Sequence, residues 1–176
     1  PNPEKWARSC IEFNERVAGQ IAASEHVETV VLSSPFRGYD RGQMWVRSGQ
    51  GFELVNASFA LATAHLRETI LRLERAGKQV ILVGPPPTAS DGDLSLCVER
   101  RWSGKIMLGD IECTIPASAA RGADAETFAM LQAASATTSA KLYFLHDTIC
   151  DDAACHGIID GAPVYRDTVH LSHAGS

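Results

Sequence analysis

The chain has 176 residues, of which 45% are hydrophobic and 21% charged, and its formal net charge is −5. This composition predicts one globular domain over residues 1–176, long enough to bury a sizeable core, and argues against a disordered chain. The acidic balance without runs of like charge argues against nucleic acid as a partner and against binding to an anionic membrane surface. No segment approaches the roughly 18 consecutive apolar residues of a membrane span, and no signal peptide is expected.

The first half of the chain predicts a helix, a strand and a loop. The helix covers residues 4–24, with apolar side chains recurring at four-residue spacing from Phe13 to Ile21. Val27–Leu32 is β-branched and apolar, which is typical of a buried strand in a parallel sheet. Residues 36–55 are rich in glycine and without a clear period, so we expect an irregular binding loop or lid there.

The second half continues the alternation of helices and strands. A helix is predicted over about residues 57–76, with Asn56 as its N-cap and Gly77 just after its end. A strand, a loop with a short helix, another helix and a third strand follow, over residues 78–84, 91–116, 122–139 and 141–145. This alternation favours a three-layer α/β/α sandwich with a mainly parallel sheet.

An aspartate three residues before a histidine is the most informative local pattern. Asp167 can accept the Nδ1–H of His170, fix its tautomer and leave the other ring nitrogen to take a proton from a hydroxyl. Residues 163–165 are expected to be extended, and Leu171-Ser172 to cap a helix. The pair would then lie at a strand-to-helix junction, where α/β enzymes place their chemistry. The same spacing also occurs by chance in proteins where it has no catalytic role.

The five cysteines favour an exported protein with disulfides over a cytosolic one with reduced thiols. Cys97 and Cys113 flank one loop, Cys150 and Cys155 flank a shorter one, and Cys10 is left over for a partner outside these residues. There is no C-x-x-C pair and no zinc-finger spacing, so no metal is expected. Motifs for nucleotide binding and the G-x-S-x-G elbow are also absent from the sequence, so no cofactor is expected.

Three side chains of the predicted loop are candidates for contact with a glycan. Arg37, Tyr39 and Trp45 combine aromatic faces with a guanidinium fork, which suits sugar rings and acidic sugars. The alternative is a packed surface loop without a ligand. Ser34 follows the first strand, but Ser-Ser-Pro at that place is more typical of a strand end than of a nucleophile. His65 is expected to be a partly buried histidine of the second helix.

With these elements placed, the chain resembles the SGNH (GDSL-type) hydrolase-like domain. More narrowly, it resembles the extracytoplasmic SGNH domain fused behind the multi-pass acyltransferase-3 membrane domain of bacterial surface-polysaccharide O-acetyltransferases. The resemblance is carried most specifically by a closing motif, namely Cys150, Cys155, Gly161, Pro163, Tyr165, Asp167, His170, Leu171, Ser172 and Gly175. Residues 30–39, residues 77–85 and the segment around Cys10 match the family less specifically.

The resemblance implies that His170 is the general base and Asp167 its orienting partner. The nucleophile of the family is the serine of a G-D-S motif on the first strand, whereas this sequence has Gly109-Asp110-Ile111 and no G-D-S. We therefore expect a partial domain that lacks its first strand, with the serine supplied by a companion N-terminal segment.

The function implied by the resemblance is O-acyl transfer, with acetyl as the acyl group, onto a bacterial cell-envelope polysaccharide. This reaction would take place on the periplasmic or extracellular face of the inner membrane, with a membrane acyltransferase domain as acyl donor and a glycan as acceptor. Two alternatives stay open: a stand-alone carbohydrate or lipid esterase with the same site, and a catalytically inactive module that binds a glycan or a partner protein.

Overall fold

A computed structural model describes residues 3–39, 41–49, 51–88, 94–106, 113–167 and 170–176. The chain divides into two compact units. The sheet unit comprises Pro1–Leu82 and Ala129–Leu142, and the motif unit comprises Val83–Phe128 and Tyr143–Ser176. The prediction of a single domain stays a prediction.

Helices and strands alternate along the described residues. The helices are α1 (Pro3–Ala23), α2 (Phe59–Arg75), α3 (Leu94–Trp102), α4 (Ala117–Ser135) and α5 (His146–Ile149). The strands are β1 (Thr29–Ser33), β2 (Gln43–Ser48), β3 (Gly51–Asn56), β4 (Gln79–Val83), β5 (Thr114–Pro116), β6 (Lys141–Tyr143), β7 (Ala154–His156), β8 (Ile158–Ile159) and β9 (Ala162–Pro163). The predicted mixed α/β fold is confirmed, with a parallel sheet in the order β1-β4-β6. None of the helices in the described ranges has the length and apolarity to cross a membrane.

The core of the sheet unit lies against one face of that sheet. Val30 of β1 and Leu82 of β4 pack there with Ile70 and Leu73 of α2. Val31, the next residue of β1, is 57% exposed, as the alternation of side chains along a strand requires. Burying a branched apolar side chain stabilises the fold by about 1.5–3 kcal/mol, so these contacts hold the helices on the sheet.

The segment from 36 to 55 differs from its prediction as an irregular loop. Most of it is a β-hairpin, in which β2 pairs antiparallel with β3 so that Trp45 lies opposite Leu54 and Arg47 opposite Phe52. Ser48 pairs with Gly51, and Gly49 between them has a φ of +57°, a conformation that glycine adopts without strain. The glycines therefore mark a tight turn.

Three predicted boundaries were also wrong. Asn56 is the last residue of β3, and Ser58 is the N-cap of α2, its hydroxyl accepting the N–H of Leu61 at 3.1 Å. Helix α4 starts directly after Pro116, five residues before its predicted start at 122. Strand β6 ends at Tyr143, since the chain turns into helix α5 at His146.

The motif unit is built on two disulfides and a small apolar core. Cys97 is bonded to Cys113 and Cys150 to Cys155, with sulfur–sulfur distances of 1.99 and 2.01 Å. Strand β5 pairs antiparallel with β7 and brings Ile115 opposite Cys155. The other buried members of this core are Ala117, Ala120, Ile149, Val164 and Tyr165.

Candidate functional site

The closing motif begins with a hairpin that fixes the path of the chain. Asp160 and Gly161 connect β8 to β9 with φ values of +50° and +78°, the left-handed pair of a tight hairpin turn. Val164 and Tyr165 follow and are buried. The hydroxyl of Tyr165 donates a 2.7 Å hydrogen bond to the carbonyl of Pro87, which anchors the start of the next loop.

The loop that carries Asp167 and His170 is closed by backbone hydrogen bonds. Tyr165 and Leu171 form an antiparallel bridge, and the N–H of Arg166 donates to the carbonyl of His170 at 2.9 Å. Thr168 and Val169 lie outside the described residues. The bridge brings both ends of the loop together, so Asp167 and His170 are confined to a short segment.

Ser172 ends this loop in a way that the sequence did not predict. Its hydroxyl donates to the carbonyl of Pro163 and accepts the N–H groups of Ala174 and Gly175 at 3.1 and 3.0 Å. The expected helix after Leu171-Ser172 is wrong, because residues 172–176 form bends and contain no helical residue. A Cβ on Gly175 would lie 2.3 Å from the carbonyl oxygen of Val164, so this position has no room for a side chain.

Asp167 and His170 form a hydrogen-bonded pair. The Nδ1 of His170 lies 2.8 Å from Oδ1 and 3.0 Å from Oδ2 of Asp167, and the backbone N–H of His170 donates to Oδ1 at 2.9 Å. The guanidinium of Arg166 donates to Oδ2 at 3.3 and 3.4 Å. With Nδ1–H donating to the carboxylate, Nε2 keeps the lone pair, and 63% of the imidazole side chain is exposed.

A second Asp–His pair lies in the Cys150–Cys155 hairpin. Oδ1 of Asp151 accepts the N–H groups of Ala153 and Ala154 at 2.7 and 2.8 Å, and Oδ2 lies 2.8 Å from Nε2 of His156. The hydrogen bond from Ala154, followed by those from His156 and Ala153, lowers the pKa of Asp151 to about 2. This carboxylate is committed to holding the turn.

A third pair is fully buried in the motif unit. Nε2 of His146 lies 3.2 Å from Oδ2 of Asp124, without the alignment of a hydrogen bond, and neither side chain reaches solvent. The ring of Phe128 packs edge-on to the imidazole with centroids 4.8 Å apart. Because neither side chain reaches solvent, a substrate cannot contact this histidine in the structure.

Of the three pairs, Asp167–His170 has the arrangement of a general base. It is the pair in which the carboxylate holds Nδ1 and the imidazole is largely open to solvent. The pairs Asp151–His156 and Asp124–His146 were not predicted from the sequence. A carboxylate that opens a disulfide loop is a usable signal for the first, whereas Asp124 and His146 are joined only by the tertiary fold.

The sheet unit contains a cleft of about 470 Å³ between α1, the β2–β3 hairpin and α2. Tyr39 and Trp45, two of the three residues predicted to contact a glycan, both line it. Arg37 is half-buried and is not among the described lining residues. His65, expected to be partly buried, is exposed and lines the cleft. The rest of the lining comprises Ile11, Asn14, Glu15, Ala18, Phe36, Met44, Val46, Arg47, Ala62, Leu66, Thr69, Arg72 and Met130.

An ion pair crosses this cleft. Nε and Nη2 of Arg47 donate to the two carboxylate oxygens of Glu15, and the guanidinium also lies 4.7 Å from the ring centre of Phe52. The hydrogen bond from Arg47 lowers the pKa of Glu15, and the charge of Arg72 lowers it further. The same bond raises the pKa of Arg47. Glu15 therefore stays ionised and holds Arg47 in place.

The serine that was weighed as a nucleophile from the sequence is Ser34, and its hydroxyl is engaged with the backbone. The hydroxyl of Ser34 accepts the N–H of Phe36 at 3.4 Å, as at the start of a turn. The segment Gly109-Asp110-Ile111 lies outside the described residues.

Three comparisons with known proteins bear on this site. The family model for the SGNH domain (fused to AT3 domains) matches residues 1–176. A search of curated protein sequences finds no match. Among solved structures, the periplasmic domain of a lipopolysaccharide acetyltransferase from Salmonella ser. Paratyphi A is similar, with a TM-score of 0.59 and 16% sequence identity over 94% of this chain. The chain spans 58% of the length of that structure, and the likeness is one of fold.

Proposed function

The chain belongs to the family of SGNH domains that are fused to AT3 domains. We propose that it takes part in O-acyl transfer to a bacterial cell-envelope polysaccharide, with acetyl as the acyl group. The observation that carries the proposal is the imidazole of His170, held through Nδ1 by Asp167 and open at its other side. This arrangement supports a general base.

In the proposed mechanism Nε2 of His170 takes the proton of a serine hydroxyl as the oxygen attacks the acyl carbonyl. The imidazolium then gives that proton to the leaving oxygen, and the acyl group stays on the serine as an ester. An acceptor hydroxyl next loses its proton to Nε2 and attacks the ester carbonyl. The bond between the acyl carbon and the serine oxygen breaks, the imidazolium returns the proton to that oxygen, and the acyl group stays on the acceptor. Asp167 stabilises the imidazolium in both halves. No G-D-S occurs in the 176 residues, so we propose a serine from outside them.

The donor in this proposal is a membrane acyltransferase domain, which the fusion of the family to AT3 domains supports. The two disulfides and the periplasmic domain found as a structural neighbour support a location on the periplasmic or outer side of the inner membrane. Arg37, Tyr39 and Trp45 are proposed to contact the glycan acceptor, since two of them line the cleft of the sheet unit.

The test measures the hydrolysis of p-nitrophenyl acetate by the full-length protein that the gene encodes. His170→Gln is expected to lower kcat/KM by about 10²–10⁴-fold, because it removes the general base. Asp167→Asn is expected to lower it at least about a hundredfold by removing the acceptor of Nδ1–H. His173→Gln, an exposed histidine three residues further on, is the matched control and should leave turnover unchanged.

Labelling with a fluorophosphonate probe tests where the serine comes from. The gene-encoded protein should be labelled at a serine outside these residues, and the isolated 176-residue chain should not be labelled. Full turnover in His170→Gln would refute the assignment of the base. A labelled serine within residues 1–176 would refute an external nucleophile.

Acceptor preference separates the proposal from an esterase. If the acetyl group moves to a polysaccharide hydroxyl in preference to water, transfer is supported. If acetate is the product at every acceptor concentration, the protein is a stand-alone esterase with the same catalytic pair.

A further inference from the structure

We propose that the cleft of the sheet unit binds a single sugar ring that carries a carboxylate, an acidic unit of a glycan. The proposal rests on the proposed function for the ligand being a glycan. The preference for a charged ring and the contact of that ring with aromatic side chains are inferred from the lining of the cleft alone.

The size of the cleft fits one small ligand. Its volume of about 470 Å³ falls within the roughly 300–1,000 Å³ of small-molecule sites. Most of the described lining lies on α1, β2 and α2, which have their own internal hydrogen bonds, so most of the site exists before a ligand arrives. A preformed cleft loses little entropy when a ligand binds.

One wall of the cleft is aromatic and apolar. Trp45 and Tyr39 are both half-buried, so each offers part of its ring to the cleft. Met44 and Leu66 extend this apolar surface. The face of an aromatic ring suits the C–H face of a sugar ring, and the tyrosine hydroxyl and indole N–H can supply polar edges for its hydroxyl groups.

Another part of the lining is a polar stripe of α2. His65, Thr69 and Arg72 follow one another at four- and three-residue spacing, which places them on the same helix face. The hydroxyl of Thr69 donates to the carbonyl of His65 at 3.0 Å, which leaves its oxygen lone pairs for a ligand donor. The stripe therefore offers hydrogen-bonding groups over about 10 Å, two turns of the helix.

The charge of the cleft favours an anion. Among the described residues, its lining has two guanidinium groups, Arg47 and Arg72, against one carboxylate, Glu15. Arg47 is engaged by Glu15 through two nitrogens. Arg72 is exposed and lies close to the α1 wall, with Nη2 3.5 Å from where a Cβ on Gly19 would stand. A guanidinium can bind a carboxylate through two parallel hydrogen bonds, so Arg72 is the proposed anchor.

The experiment compares two sugars that differ only at C6, which is a carboxylate in one and an uncharged hydroxymethyl group in the other. The protein is titrated at low salt with methyl β-glucuronide and with methyl β-glucoside, and binding is followed by the amide NMR signals of residues that line the cleft. The uronide is expected to bind about tenfold more tightly, the increment of one charge-assisted hydrogen bond. Arg72→Gln should abolish this difference, whereas Arg75→Gln, an exposed arginine on the same helix, should keep it.

Two further titrations complete the test. Trp45→Ala should weaken both sugars, and butyrate, a carboxylate without a ring, should bind more weakly than the uronide. Equal affinity for the two sugars, equal affinity for butyrate and the uronide, or no shift of the cleft signals with any ligand would each overturn the proposal. Arg72 is exposed, so its variant tests the site even if Trp45→Ala fails to fold.

Binding and turnover are measured separately, so this proposal and the proposed function fail in different ways. Ester turnover that depends on His170, without uronide binding, overturns the acidic-sugar site alone. Uronide binding that depends on Arg72, together with turnover that does not need His170, overturns the catalytic assignment alone.

Discussion

The three Asp–His pairs differ in what else each carboxylate must do. Asp167 holds one imidazole nitrogen and the backbone N–H of the same histidine, so it orients the ring that the loop exposes. One carboxylate oxygen of Asp151 accepts hydrogen bonds from two backbone N–H groups, which stabilises a turn. Asp124 is buried with His146 and serves the core. Proximity to an aspartate is therefore not enough to make a histidine a base; the exposed ring nitrogen decides.

The turn held by Asp151 predicts a dependence of stability on pH. The pKa of this carboxyl falls from 3.8 to about 2 on folding, so its stabilising contribution is complete above about pH 4 and is lost as the pH falls towards 2. In urea unfolding between pH 5 and pH 2, the wild type should lose stability more steeply than Asp151→Asn.

The adjacent Asp152→Asn is the control, since Asp152 is an exposed carboxyl in the same hairpin. It should follow the wild-type profile. If the profiles of Asp151→Asn and the wild type run parallel over the whole range, the turn does not depend on the charge of Asp151.

Among the elements, α2 has a different N-cap from the one predicted from the sequence, which was Asn56. The hydroxyl of Ser58 accepts the N–H of Leu61, whereas Asn56 ends a strand. Ser58→Ala should therefore destabilise the protein by about 1 kcal/mol, the usual cost of losing an N-cap.

Asn56→Ala is the matched variant, and it should change the free energy of unfolding by less than about 0.5 kcal/mol because the side chain is exposed. Denaturant midpoints of the two variants give the comparison. A larger loss for Asn56→Ala than for Ser58→Ala would mean that the helix begins earlier than the structure places it.

Elements with a local signal could be predicted from the sequence. Both ends of helix α1 and of strand β1 lie within about two residues of the predicted ends. These elements could be predicted because periodicity and β-branched runs are properties of neighbouring residues. The β2–β3 hairpin was missed because its pairing joins residues on two strands, and its glycines resemble those of a loop. Helix α4 began earlier than its apolar pattern, since Pro116 and the small residues after it carry little periodicity.

The candidate site divides in the same way. The contact between Asp167 and His170 could be predicted because three residues of one loop suffice to form it. The Glu15–Arg47 ion pair, which spans 32 residues, and the place of His65 in the same cleft depend on how helices and a hairpin pack. No spacing rule reaches that far, so the polar half of the cleft had to come from the structure.

At the scale of the whole molecule, the two units are stabilised by different means. The sheet unit has an apolar core made of its own strands and helices, including Val30, Ile70 and Leu82. The motif unit has a smaller core, around Ile115 and Val164, and contains both disulfides. Hence the redox state of the medium should act on one unit and not on the other.

Reduction should destabilise the motif unit selectively. The Cys97–Cys113 bond joins residues 16 apart, and closing a loop of that length stabilises a fold by roughly 3 kcal/mol. With dithiothreitol, the backbone amides of Ile115 and Val164 should exchange hydrogen about a hundredfold faster, while those of Val30 and Leu82 keep their protection. Cys10→Ser should behave as the wild type before and after reduction, because Cys10 is a free, exposed thiol. If protection falls equally in both units, they unfold as one cooperative body, and the disulfides then stabilise the loop of Asp167 and His170 and the cleft together.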